Sequence, residues 1–390
     1  MTQTLFVRSS IAYLLNMSGA EKVNVRVDVE SLEQPDGPLA ELVAKVQKRP
    51  IDPCLVRSMR FSGAMTNIVY KVWVEGIDGS YIIRIMDHAH EEDGVVDAIS
   101  EEWTFSLLSA HNIGPQCLLY FQNGRIEEFF EEFRALHGSD EMCFHMWHNI
   151  PVALARFHSM STYASRTEPW QGSRSMQKYS MSLWNRMHGW YRHLRRCERP
   201  KHGHAWIEDF LNDMDSILHS EQYSQDTVYI AESLIHGDLQ CGNILVNPSG
   251  DVRFIDYDYS CFGDVAFDIA NFFCEIGSDY NSNPGKAVFH WEKVPNKSDR
   301  RKFVQLYIQS LVREEYSWCL VSPSKMDDVE QLCDHVSNRV DWYMNTVSPL
   351  HWCAWALVFH FSCKDKALEF DYLAYAHARY KQFSDNSILD

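Results

Sequence analysis

The chain has no Cys-x-x-Cys pair among its eleven cysteines. That excludes the usual spacing of a zinc site or a thioredoxin-like centre, and an odd count of scattered cysteines suits reduced thiols. No apolar run approaches the ~20 residues that a membrane-spanning helix needs. There is no internal repeat and no low-complexity tract. Ser387-Ile388-Leu389-Asp390 matches no lipidation or peroxisomal signal. Ile11–Met17 is apolar, but its basic flank is too thin for a signal sequence, so it reads as an N-terminal helix. Basic residues are scarce as well, 36 against 53 acidic, for a net charge of -17. Such a surface repels nucleic acid and anionic lipid and favours small cationic ligands. A cytoplasmic protein is expected, with no nucleic-acid partner and no stable membrane insertion.

What is present is a globular composition, 45% hydrophobic and 23% charged over 390 residues, long enough for two lobes. Residues 1–43 look like an extension, broken by Gln34-Pro35-Asp36-Gly37-Pro38. Arg60–Val74 alternates around Ser62-Gly63-Ala64 as a hairpin does. Tyr81–Ile85 reads as a further strand, Glu101–Ala110 as a helix, and Cys117–Phe121 and Arg125–Phe130 as two more strands. Residues 44–130 therefore read as a small antiparallel β-rich lobe with one packed helix. Residues 131–390 turn helical, through Ile150–His158, Met176–Leu194 and Trp206–His219, and again from Phe267 to Phe383. Short strands at Ser233–Ile235, Ile244–Val246 and Val252–Ile255 interrupt them. The fold class is α+β, and a cleft between two such lobes is where a nucleotide would bind.

Those short strands frame the richest segment, His236-Gly237-Asp238-Leu239-Gln240-Cys241-Gly242-Asn243, followed by Phe254-Ile255-Asp256-Tyr257. A tight loop can aim Asp238 and Asn243 to one side, and Asp256 follows an apolar strand. Phosphoryl transfer passes through a loose transition state, so a protein mainly positions groups and neutralises charge. Asp238 is the candidate base that takes the acceptor hydroxyl's proton. Asn243 and Asp256 supply oxygens for Mg2+ between ATP phosphates. Each residue alone is an ordinary turn former; the pattern is more specific. His236 reads as a brace for the loop. His202-Gly203-His204 has no partner at ligand spacing and reads as a solvated turn.

The two segments resemble the phosphotransferase motifs of the superfamily that holds choline/ethanolamine kinases and aminoglycoside phosphotransferases. Val252–Glu275, VRFIDYDYSCFGDVAFDIANFFCE, resembles the choline/ethanolamine kinase motif, most specifically from Phe267 to Glu275. The likeness runs from about Arg60 to Phe383. It implies a bilobal protein-kinase-like fold, with ATP and Mg2+ as cofactors. It matches Gly63, Ala64, Met65, Thr66, Asn67 and Ile68 to the turn over the phosphates, where small residues let backbone N–H groups approach. No Gly-x-Gly-x-x-Gly is present, so the protein-kinase form of that turn is missing. The resemblance further implies Arg84 as the basic group on the phosphates, held by Glu101, with Glu128, Phe129 and Phe130 at adenine and Gln240 at the nucleotide.

For the acceptor, the resemblance points to Tyr259, Glu275, Tyr280, Trp352, Trp355 and Tyr375 beside Asp238. A trimethylammonium group has no N–H to donate, so aromatic faces and carboxylates hold it. Taken alone, Trp352 and Trp355 would read as core packing; the family position makes them pocket walls. Trp147, Trp170, Trp184, Trp190 and Trp206 have no such counterpart. The implied partner is a small amino alcohol, choline or ethanolamine, and the family implies a homodimer. Gln240 and Phe273-Cys274-Glu275 look like choline kinases, whereas Val252–Tyr257 and Phe370-Asp371-Tyr372-Leu373 look like ethanolamine kinases. The choice leans to choline and stays open. So do another aminoglycoside-phosphotransferase-like kinase and a kinase-shaped binding protein without activity.

Overall fold

Alternating apolar residues around residue 70 need a sheet to bury one face, and the first unit supplies it. The computed structural model describes residues 19–28, 38–61, 67–86, 98–136, 146–167, 182–197, 205–220, 229–280, 282–283, 285–362 and 370–385. The chain divides into two compact units, residues 1–92 with 101–133, and 93–100 with 134–390. The expected helix at 11–17, the break at 34–37, Gly63, Ala64, Met65 and Thr66 of the turn, His202-Gly203-His204, Trp170 and the start of the Met176–Leu194 helix lie outside the described residues.

In the first unit, β1 (Glu21–Lys22), α1 (Leu39–Gln47), β2 (Val56–Arg60), β3 (Asn67–Val74), β4 (Ser80–Met86), α2 (Ala98–Ala110), β5 (Cys117–Phe121) and β6 (Gly124–Glu128) follow in order. The sheet runs β1-β5-β6-β4-β3-β2, antiparallel except for the parallel β1/β5 pair. Antiparallel neighbours joined by short turns are the simplest way to pair strands this close in sequence. Asn67 and Ile68, expected in the turn, open β3 opposite Met86 and Ile85.

Residues before 44, read from the sequence as an extension, also pack on this sheet. Asn123 pins the segment after β1, accepting from Val27 N–H at 2.9 Å and donating to Val27 O at 2.8 Å. Helix α1 continues through residue 43, with Leu42 and Val43 fully buried in the core beside Val72, Ile83 and Ile126. Each such aliphatic side chain contributes roughly 1.5–3 kcal/mol by leaving water. The sheet face needs that cover, so this segment belongs to the unit.

The second unit contains β7 (Arg134–Ala135), α3 (Asn149–Thr167), α4 (Leu183–Arg196), α5 (Trp206–Leu218), β8 (Ser233–Ile235), β9 (Ile244–Val246), β10 (Val252–Phe254), β11 (Cys261–Gly263), α6 (Val265–Ile276), β12 (Ser278–Asp279), β13 (Val288–Phe289), α7 (Lys297–Leu311), α8 (Val329–Asn345), α9 (Val347–Ser362) and α10 (Tyr372–Ser384). β8 pairs with β11, β9 with β7 and β10, and β12 with β13. Helix α6 is capped by Asp264, whose side chain accepts Ala266 N–H at 2.8 Å. Every residue of α6 is buried, the expected state of a helix apolar on most sides. It packs against α8 and α9, while α9 packs on α10. No described helix is long and apolar enough to cross a membrane.

Cross-strand geometry in the first unit places two arginines opposite each other, Arg84 on β4 and Arg125 on β6. Like charges in register repel. Glu127 resolves this, because Oε1 accepts from Arg84 Nε at 3.1 Å and from Arg125 Nε at 2.8 Å. Arg125 also grips Glu101 with both terminal nitrogens, at 2.9 and 2.5 Å. Burial opposes the charge of Arg125, but Glu101 and Glu127 outweigh it and hold the guanidinium above its ordinary pKa. Arg125→Met would strand buried carboxylates and is expected to lower the stability of the first unit by about 3–5 kcal/mol. An unchanged first thermal transition in calorimetry would count against that role.

Candidate active site

The loop from β8 to β9 carries Asp238, Gln240 and Asn243, and the residues after β10 carry Asp256. What sets the loop is Asp268, three residues into α6. Its carboxylate accepts His236 N–H at 2.7 Å and Gly237 N–H at 2.9 Å. His158 braces the carboxylate from behind through Nε2, at 3.1 Å, and takes the Tyr307 hydroxyl on Nδ1 at 2.9 Å. All of this is buried, where a partnered charge is firmly held and an unpartnered one is costly.

His236 behaves as the expected brace. Its Nε2–H donates to Ile255 O at 2.9 Å and its Nδ1 accepts Asp238 N–H at 3.3 Å. Burial lowers its pKa, so the ring stays neutral and keeps both contacts. Gly237 sits at φ +81, and a Cβ there would lie 1.9 Å from Tyr259 O, so only glycine fits. The second strand pair is tied in when Ile255 N–H donates to Asn243 O at 3.1 Å.

Asp238 is half-buried. Its Oδ2 accepts Asn243 Nδ2 at 3.1 Å and Gln240 Nε2 at 3.3 Å. Asn243 Nδ2 also donates to Asp238 O at 3.0 Å. With its amide nitrogen committed to Asp238, Asn243 can offer only its oxygen to a ligand. Asp256 adopts φ +68, a left-handed conformation that Asp tolerates better than most residues. Burial first, then the charges of Glu275 and Asp256, push the Asp238 carboxyl up to about 8. Carboxylates gathered without enough positive charge suit a hard divalent cation. Among the described residues no three His, Cys, Asp or Glu side chains converge as a metal cluster. Asn243 and Asp256 would therefore share Mg2+ with waters and phosphate oxygens, the usual habit of that ion.

The aromatic residues expected around the acceptor touch one another in the second unit. Tyr259 meets Trp352 edge-on at 5.7 Å, and Trp352 meets Trp355 at 5.6 Å. Trp355 lies 5.8 Å from Tyr375, and Tyr375 lies 6.3 Å from Tyr280. Tyr280 donates its hydroxyl to Glu275 Oε2 at 2.8 Å. The indoles are locked, Trp355 Nε1–H on Tyr259 OH at 2.7 Å and Trp352 Nε1–H on Asn271 Oδ1 at 2.6 Å.

In the first unit, Arg84 binds Glu127, while Glu101, its expected partner, is gripped by Arg125. Glu128 ends β6 and accepts Gln116 N–H at 3.2 Å. Phe129 lies under Lys71 Nζ at 3.9 Å, and Phe130 packs on Phe133 at 5.6 Å.

Sequence reasoning gave no role of their own to Asp268, Asn271, Arg379 and Arg125. A signal existed for the first two. Asp268, Asn271 and Glu275 stand three and four residues apart in an apolar run, which is one face of a helix. Arg379 follows Tyr375 by one helical turn, a spacing that cannot reveal its burial. Nothing in the sequence announces that Arg125 faces Arg84.

Residues 59–384 match the family model described as choline/ethanolamine kinase. The chain is 27% identical over 374 residues to probable choline kinase 2 of Arabidopsis thaliana, covering 95% of this chain and 96% of that one. It is 24% identical over 346 residues to ethanolamine kinase 2 of Mus musculus, covering 85% and 76%. The solved choline kinase of Cryptosporidium parvum superposes with a TM-score of 0.67 at 21% identity, over 87% of this chain and 93% of that one. At that identity the likeness is one of fold, the protein-kinase-like α+β arrangement.

Two outcomes test this geometry. Asp268→Asn replaces one acceptor oxygen by a donor facing a backbone N–H. It is expected to lower kcat by about 100-fold or more, because it releases the loop rather than a substrate contact; an unchanged kcat would contradict the anchoring role. For Asp238, the folded, ligand-free chain keeps a proton that the unfolded chain releases above its ordinary value of 3.8. The residue therefore costs stability increasingly as pH rises from about 4 to about 8. Asp238→Asn is expected to raise the Tm of the metal-free protein, by more at about pH 8 than at about pH 5. A pH-independent difference in Tm would refute this.

Proposed function

Because the chain belongs to the choline/ethanolamine kinase family, we propose that it transfers the γ-phosphoryl group of ATP to the hydroxyl of choline, with ethanolamine as a second acceptor. The products are phosphocholine and phosphoethanolamine, for phospholipid synthesis. The observation that carries this reading is a run of neighbouring groups within the second unit. Asp238 lies close enough to feel the charges of Glu275 and Asp256, and Glu275 joins through Tyr280 to the rings of Tyr375, Trp355, Trp352 and Tyr259. A carboxylate beside cation-binding rings is what a phosphorylated amino alcohol requires.

In this reading the ammonium group rests among the aromatic rings and the hydroxyl reaches Asp238. Burial first, then the charges of Glu275 and Asp256, raise the pKa of Asp238, and a cationic acceptor would pull it back toward its ionised form. Asp238 orients the hydroxyl and takes its proton as the oxygen bonds to phosphorus. Asn243 and Asp256 would hold Mg2+, which would supply positive charge against the phosphates. Within the second unit Gln240 is the candidate for the nucleotide; Arg84 and the backbone at Glu128–Phe130 are the first unit's own candidates for phosphate and adenine. Cytoplasmic location and a homodimer belong to the same proposal.

The test is ATP consumption against a panel of choline, ethanolamine and aminoglycosides. Turnover with the two amino alcohols is expected, and Asp238→Ala should abolish it while nucleotide still binds by calorimetry. Near-normal kcat in that variant would remove Asp238 as the base. Turnover only with aminoglycosides would overturn the acceptor.

A further inference from the structure

The aromatic pocket already holds a cation of its own. Arg379 on α10 is fully buried and donates through Nη2 to Glu275 Oε1. Its Nε donates to Tyr375 OH at 3.0 Å, and its Nη1 to Gln382 Oε1 at 3.3 Å. The guanidinium lies 4.9 Å from the Phe289 ring and 5.2 Å from the Tyr375 ring. Gln382 is itself fixed on Met344 O at 3.1 Å. Tyr375 and Glu275 outweigh the burial that opposes the charge of Arg379, and its pKa stays above the ordinary value. Arg379 is a permanent cation in a rigid seat.

The consequence falls on Glu275. Arg379 engages Oε1 and the Tyr280 hydroxyl engages Oε2, at 2.8 Å. Burial and the charge of Glu275 hold the Tyr280 phenol protonated, so it acts as a donor. Each carboxylate oxygen therefore already serves a protein donor, which leaves it one of its two lone pairs, and the negative charge is countered by a guanidinium. A primary ammonium entering among these rings must give up water and needs oxygen acceptors for its N–H groups. A quaternary ammonium has no N–H and is satisfied by ring faces. We infer that Arg379 is a positioning residue that sets the amine preference: by occupying Glu275 from behind, it biases the pocket toward a quaternary over a primary ammonium. Arg379 acts through Glu275 and need not touch the amine. This rests on the reading of these rings as the acceptor pocket.

The experiment compares kcat/KM for choline and for ethanolamine at saturating MgATP in the full-length protein. Arg379→Gln is expected to lower the choline-to-ethanolamine ratio by about tenfold, the effect of one charge-assisted hydrogen bond returned to the substrate. The change should appear in KM for ethanolamine more than in kcat. Arg379→Lys, which keeps the charge, should restore most of the wild-type ratio. Tyr280→Phe frees Oε2 and keeps the Arg379–Glu275 ion pair, losing only the long 3.4 Å contact from Arg379 Nη2 to the hydroxyl, and should move the ratio the same way by about threefold. It decides the matter if Arg379→Gln does not fold. A ratio unmoved in the folded variants overturns the inference and leaves the kinase reading standing. A wild-type protein inactive on both amines overturns the pocket reading itself.

Discussion

The carboxylate of Asp268 is the constraint on which the candidate site depends. Two successive backbone N–H groups, those of His236 and Gly237, end on its two oxygens. That pair of bonds sets the direction in which the chain leaves β8, and so where Asp238 points. The hold is strong because the group is buried and partnered on every side visible here, by His158 and by the loop itself. A charge in that setting would be costly without its partners. Loop and helix therefore form a single unit, and neither geometry makes physical sense alone.

The same helix organises the acceptor side. Asp268, Asn271 and Glu275 share one face of α6, and each serves a different neighbour. Asp268 holds the loop, Asn271 holds the Trp352 indole, and Glu275 receives Tyr280 and Arg379. In a helix buried on all sides each of the three polar side chains reaches a partner, Asn271 through Oδ1 alone, its Nδ2 having none among the described residues. The polar stripe of α6 thus turns a solvation requirement into a register between the candidate base and the aromatic rings. In the first unit the same rule works on a smaller scale. The buried carboxylate of Glu127 reconciles two arginines that the sheet places opposite each other.

Much of the architecture was legible. The strands from β3 to β6, the helix after β4, and the short strands around the His236–Asn243 loop follow from alternation, helical spacing and turn residues. The loop and the aromatic set were legible too, through their pattern and its family likeness. Other parts were not. β1 is two residues long and is defined by its neighbour β5. The cover provided by α1 comes from a segment that reads as a tail until the sheet face is in view. β12 and β13 are two-residue strands, too short for any periodicity to register.

By itself the sequence determined which chemical groups are available and how they are spaced along the chain: the His-Gly-Asp loop, its Asn, the following Asp, and two indoles one helical turn apart. Local spacing controls local geometry, because a tight loop or a helix face involves only a few residues. Tertiary structure alone decided the pairings: Asp268 with the loop, Arg125 with Glu101, and Arg379 with Glu275. These partners lie 24 to 104 positions apart. Which distant charges meet is settled by how helices and sheets pack to bury apolar surface, and burial then makes each meeting obligatory.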